Sequence, residues 1–403
     1  VLERLGNPSL SGSEECLFPN VYRPGDARQR QLLPVLIFIH GRRNQKGSGN
    51  DYDPSEMVSK NGIIAVTINY RLNVLGFLAL PSLDAEAGNP SSGNFGLMDQ
   101  QAAMRWVHAN ILAFGGNPLN VTMGGESGGG IDACANLVSP DAAGLFNKVI
   151  LESMYCPTAS HKEALAVGNP VAAALGCANV QTAAACMRTK APADVLQAAG
   201  PLSGVPGGGA GFNASPNFGN DVLPLEPLEA LRSGKWNWSQ VLLGSNHDEA
   251  ALVVMPALVA HGVQLPLSVQ TYQRIVTLRF GPFAPAVLSE YRADHYRSPF
   301  FAYADLATDK SPLGCPVSPL ADLLSALGET FRYEFDDPNA PVPGKGPGTP
   351  ANISIGAYHG SELQYLFKMT QLPGPRTAAQ QQLSTEMIEY WANFIKTSNP
   401  NGL

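Results

Sequence analysis

The chain has 403 residues, 44% hydrophobic and only 15% charged, with a net charge of −7. Such a chain can bury a large core, and acidity without clustered Lys and Arg argues against nucleic acid as a partner. No apolar run is long enough to cross a membrane, and the run at 35–39 reads as a buried strand.

The first half alternates strands and helices. Residues 33–40 and 62–70 are near-continuous apolar runs, as expected of parallel strands covered on both faces. Residues 98–112 have helical spacing, with Met98, Ala102, Trp106 and Ile111 as the predicted buried stripe. A short apolar strand at 120–123, a helix at 131–137 and a strand at 146–152 follow. Repeated βαβ units predict an α/β fold on a parallel, doubly wound sheet. Beyond 155 the chain turns Ala-rich and helical over 158–200, then becomes a Gly/Pro/Asn loop over 201–222. Residues 240–244 return as a strand, 251–335 read as mostly helical, and 336–352 as a Pro/Gly loop. The expected organisation is one catalytic domain over 1–403, with 251–335 as a helical cap region.

Between the strand at 120–123 and the helix at 131–137 lies Gly125-x-Ser127-x-Gly129. In that context the pattern marks a sharp turn that strains the serine backbone and exposes its Oγ. Glycines two residues either side remove Cβ atoms that would clash across the turn. The helix N-terminus beside it favours negative charge, where an ester's tetrahedral oxyanion would form.

A serine hydroxyl needs a histidine to accept its proton, and the histidine needs an oriented carboxylate. In α/β-hydrolases the order is Ser, acid, His, which excludes His40 and His108. His359 stands in a loop between Gly356 and Gly360. Asp248 and Glu249 directly follow the strand at 240–244, at the carboxyl edge where such sheets build their sites. These rules do not separate the two acids. No His/Cys/Asp cluster has metal-ligand spacing, so neither metal nor organic cofactor is expected.

Several blocks occur in order. They include Glu14-Glu15-Cys16-Leu17-Phe18-Pro19-Asn20-Val21-Tyr22, Asn69-Tyr70-Arg71-Leu72, Gly93-Asn94-Phe95-Gly96-Leu97-Met98-Asp99-Gln100 and Phe114-Gly115-Gly116-Asn117-Pro118. Gly125-Glu126-Ser127, His247-Asp248-Glu249, His359-Gly360-Ser361-Glu362 and Tyr390-Trp391-Ala392-Asn393-Phe394 follow. Over nearly its whole length the chain resembles the type-B carboxylesterases, which include cholinesterases and fungal lipases. The resemblance implies an α/β-hydrolase fold, with a mostly parallel central sheet flanked by helices. It implies Ser127 as nucleophile, Glu249 rather than Asp248 as acid, and His359 as general base. It also implies a Cys177–Cys186 disulfide and hydrolysis of small to medium esters through an acyl-enzyme. The family pairs a cysteine at the place of Cys16 with one further upstream, and none precedes it here.

The oxyanion loop departs from the family. A glycine run is usual there, and this chain reads His40-Gly41-Arg42-Arg43-Asn44. The expected backbone donors are therefore Gly41, Arg42, Arg43 and, from the elbow, Gly128. Three readings stay open: the arginines bind an anionic substrate group, they point to solvent with the amides in place, or the hole is impaired. Gly128 and Gly130 replace common alanines, which creates no clash. The chain thus reads as a serine esterase, secreted or periplasmic after removal of a segment before Val1, with one or two disulfides and a small-molecule ester as partner. The alternatives are a lipase acting on acylglycerols and a catalytically weak, cholinesterase-like binding protein.

Overall fold

The computed structural model describes residues 3–5, 9–25, 32–200, 212–311, 317–342, 354–370 and 376–402. Among these residues the central sheet has seven strands: β1 (Asn20–Tyr22), β2 (Leu33–Ile39), β3 (Ile64–Ile68), β4 (Gly116–Glu126), β5 (Lys148–Glu152), β6 (Gln240–Asn246) and β7 (Thr330–Phe335). Their spatial order is β7-β6-β5-β4-β2-β3-β1. Only β1 runs antiparallel to its neighbour within this sheet.

Alternation along the strands divides the core into two layers. Val35, Ile37 and Ile39 of β2 join Val66, Ile68, Met123 and Leu151 on one face. There they meet Leu97, Met104 and Val107 of α1 (Phe95–Asn110) and the buried side of α2 (Gly128–Val138). Leu36, Phe38, Ala65, Ile150 and Leu242 face the other way. They pack against α3 (Ala251–Ala260), α4 (Val269–Phe280) and α5 (Pro299–Lys310), and against Met387, Trp391 and Ile395 further on. Each such aliphatic side chain, once fully buried, contributes roughly 1.5–3 kcal/mol.

Two expectations are corrected. Helix α1 buries Leu97, Gln100, Gln101, Met104 and Val107, while Ala102 is exposed and Trp106 is 37% exposed. The face is rotated because Gln100 and Gln101 turn inward to hydrogen-bond Asp132, Asn136 and Ser139 of the α2 region. Apolar spacing alone does not register that polar contact. Residues 251–335, read as mostly helical, also contain β7, the sheet's edge strand. Phe331, Tyr333 and Phe335 alternate on one face, a period-two signal in a short run. Helix α6 (Val317–Leu327), just before it, packs on the α1–α2 side instead of over the site.

The last helix, α7 (Ala378–Thr397), starts with a capping box between Thr377 and Gln380. Among the described residues, two disulfides join Cys134 to Cys156 and Cys177 to Cys186, and Cys16 is a buried free thiol. Cys315, the first part of the predicted 201–222 loop and most of the 336–352 loop lie outside the described residues. No helix among the described residues is long and apolar enough to cross a membrane.

Candidate active site

The elbow is built as its glycines require. Ser127 sits between β4 and α2 at φ 54° and ψ −119°, a sparsely populated region for a side-chain-bearing residue. A Cβ on Gly125 would lie 2.3 Å from the Gly129 carbonyl oxygen, and one on Gly129 would lie 2.1 Å from that of Ile39. The Ser127 N–H donates to the Glu152 carbonyl at 3.0 Å, and its own carbonyl accepts the Ile131 N–H at 2.9 Å. Strand β5 and the first turn of α2 thus hold the strained residue from both sides.

Ser127 Oγ is 2.8 Å from His359 Nε2, and His359 Nδ1 is 2.6 Å from Glu249 Oε2. The other Glu249 oxygen accepts the Asn246 backbone N–H at 2.8 Å. Two loops are stitched together to achieve this. The Asp248 N–H donates to the Ala357 carbonyl at 3.0 Å, and the His359 N–H donates to the Glu249 carbonyl at 3.3 Å. With Nδ1–H donating to a carboxylate, Nε2 is left as the acceptor facing the serine.

Asp248, the rival acid, points elsewhere. Its Oδ2 accepts from the Ala357 N–H at 3.0 Å and pairs with Arg297 at 3.1 Å. His247, Asp248 and Asp336 come within ligand range of one another, a grouping invisible in their spacing. Arg297 and the Ala357 amide already satisfy Asp248, so its charge is met without an ion.

Three buried acids that pattern rules left without a role stand at the site, Glu126 and Glu362 acting on His359 and Glu152 interacting with Glu126. Glu126 Oε1 lies 3.2 Å from His359 Nε2. Burial raises the Glu126 carboxyl to about 7, with the His359 charge opposing and Glu249 adding to the rise. Glu152 accepts from the Trp391 indole N–H at 2.7 Å, and burial raises it to about 8. Glu362, hydrogen-bonded by Asn246, is pushed well up by burial and by Glu126 and Glu152. For His359 burial works against the charged form, but Glu126 and Glu249 outweigh it and raise the imidazole above its usual range. Glu126 and Glu362 both stand inside recognised motif blocks; only their burial beside His359 reveals the electrostatics.

On the other side of Ser127 runs the 41–44 turn. Gly41 is sterically obligatory: a Cβ there would lie 2.5 Å from the Glu126 carbonyl oxygen. Arg42, Arg43 and Asn44 all adopt left-handed φ, at 63°, 60° and 56°. For residues other than glycine that conformation costs roughly 1–2 kcal/mol each. A Cβ on Gly128 would lie 2.9 Å from both the Arg43 and Asn44 nitrogens, so the amides nearest the elbow include Asn44, one residue beyond the expected set. Replacing alanine at 128 therefore does more than avoid a clash: it lets the turn come close. The Arg42 guanidinium reaches Asp51 at 3.4 Å.

Ser127 and His359 open into a cavity of about 990 Å³, of the size usual for small-molecule sites. Arg42, Arg43 and Lys46 line one side, while Phe77, Ile131, Met154, Phe212, Leu252, Val253 and Leu363 give it a largely apolar wall.

A sequence model of the carboxylesterase family matches residues 2–403. The cocaine esterase of Oryctolagus cuniculus is 31% identical over 410 residues, covering 98% of this chain and 73% of that protein. The cocaine esterase of Homo sapiens is 31% identical over 413 residues, covering 98% of this chain and 69% of that protein. Among solved structures, a PNB esterase superposes with a TM-score of 0.75 at 32% identity, covering 99% of this chain and 79% of the other.

Proposed function

The chain belongs to the carboxylesterase family and is a carboxylic ester hydrolase, and on that premise we propose which residues do the chemistry. Ser127 Oγ attacks the ester carbonyl while His359 Nε2 takes its proton. Glu249 holds the proton on Nδ1 and balances the imidazolium that forms. His359 then protonates the leaving alcohol, and water cleaves the acyl-enzyme through the same base. The observation that carries this reading is the pair of contacts at 2.8 and 2.6 Å joining Ser127, His359 and Glu249. Glu126, within reach of Nε2, adds negative charge beside the transient imidazolium.

The backbone N–H groups of Gly128 and of the 41–44 turn are the proposed oxyanion donors. Removing one such donor costs roughly 10²–10³ in rate. We also take 1–403 as one catalytic domain, capped by the helices within 251–310; Leu252 and Val253 of α3 in the cavity wall support that. An oxidising compartment is proposed on the strength of the two disulfides.

The test is hydrolysis of a short-chain p-nitrophenyl ester by the wild type beside Ser127→Ala. Turnover should fall by about 10⁴ or more in the variant. Equal rates in the two proteins would remove Ser127 from the mechanism.

A further inference from the structure

Behind the 42–44 turn lies a run of buried polar side chains that the hydrolytic steps do not use. Asn44 is 1% exposed, and its Nδ2 donates to Asp132 Oδ1 at 2.8 Å. The Tyr70 hydroxyl lies 2.8 Å from Asn44 Oδ1 and 2.6 Å from the His40 carbonyl oxygen. Asp132, wholly buried on α2, also accepts from Gln100 Nε2 on α1 at 2.5 Å. Gln100 in turn accepts from Asn136 at 2.9 Å. One side chain, Asn44, thereby ties the turn to both α1 and α2.

A buried aspartate is costly unless bonded, and apolar residues would fill this space without that cost. Asn44 is also the residue of the three that best tolerates left-handed backbone. The turn it ends lies against Gly128, where a Cβ would come 2.9 Å from two of the turn's amide nitrogens.

We propose that Asn44 and Asp132 are positioning residues for ester hydrolysis. Their buried hydrogen bond holds the Arg42-Arg43-Asn44 amides in the left-handed turn, doing with side chains what glycine does through backbone freedom. The proposal rests on the oxyanion role assigned to that turn.

Asn44→Ala and Asp132→Ala are compared with wild type in p-nitrophenyl acetate turnover, in inhibition by a trifluoromethyl ketone, which forms a tetrahedral oxyanion adduct, and in melting temperature. The expected result is a kcat lower by about 10–100-fold with KM changed by about twofold at most, and ketone affinity falling with kcat. Asp132→Asn, which keeps the shape and one acceptor, should lose less than Asp132→Ala. Adding Arg42→Gly and Arg43→Gly to Asn44→Ala should restore most of kcat, because glycine needs no support at positive φ. Unchanged kcat, or a loss that the glycines do not restore, overturns the clamp. Amide hydrogen exchange over 41–47 decides the matter independently of activity: faster exchange in Asp132→Ala upholds the clamp, and unchanged exchange overturns it. Absence of Ser127-dependent turnover in the wild type would instead strike the catalytic assignment itself.

Discussion

The elbow at Ser127 and the turn at 42–44 meet at Gly128, and they handle positive φ in opposite ways. At the elbow one strained residue is flanked by Gly125 and Gly129, whose missing Cβ atoms let three backbone segments touch. In the turn three consecutive residues with side chains go left-handed, and buried hydrogen bonds from Asn44 anchor the last of them. The first solution is written in local sequence and depends on empty space. The second depends on Asp132 and Tyr70, 88 and 26 residues away.

If the elbow depends on absent atoms, the smallest addition should harm it most. Gly129→Ala would place a methyl 2.1 Å from the Ile39 carbonyl oxygen, and destabilisation of about 3 kcal/mol or more is expected in denaturant unfolding. A variant with wild-type stability would erase the distinction between the two regions. Replacing Cys134 and Cys156 together by alanine frees α2 from the segment after β5. The loop they close, with a separation of 22, predicts a loss of about 3 kcal/mol, seen as a lower unfolding midpoint under non-reducing conditions.

Gly128→Ala tests the contact between the regions. Its methyl presses on the Arg43 and Asn44 nitrogens, so kcat should fall about tenfold with little change in stability. An unaltered kcat would mean that the turn yields freely and is not held as described.

The smallest effect concerns Glu126, the acid shared by both regions. Only neutral His359 can accept the serine proton, so kcat/KM should rise with pH through an apparent pKa above the usual histidine value of 6.5. Glu126→Gln removes one of the charges that raise it, and the acidic limb should move to lower pH by about one unit. A limb already at or below 6.5 in the wild type, or one unmoved by the substitution, contradicts the electrostatic role given to Glu126.

Near-continuous apolar runs located β2 and β3, because a strand covered on both faces must be apolar throughout. Gly125-x-Ser127-x-Gly129 located the strained serine, because its requirement is steric and lies within five residues. The order of the chain narrowed the histidine to those after Ser127, and the ordered motif blocks carried the family. Motif rules left Glu249 and Asp248 unseparated and the resemblance implied Glu249; the physical reason lies in space, where Glu249 meets His359 while Arg297 and Ala357 engage Asp248. The inward Gln100 and Gln101 that rotated α1 find their partners on α2 and just beyond it, so no helical period records them. Glu126 and Glu362 look like ordinary charged residues until burial beside His359 raises their proton affinity. Whether the Arg42-Arg43-Asn44 turn binds an anionic group, keeps its amides in place or is impaired stays open in the sequence, because Asp132, which bonds Asn44 from behind, lies 88 residues away. Local sterics and apolar patterning act between neighbours in the chain, whereas burial, charge pairing and polar clamps depend on which distant residues the fold brings within about 3 Å.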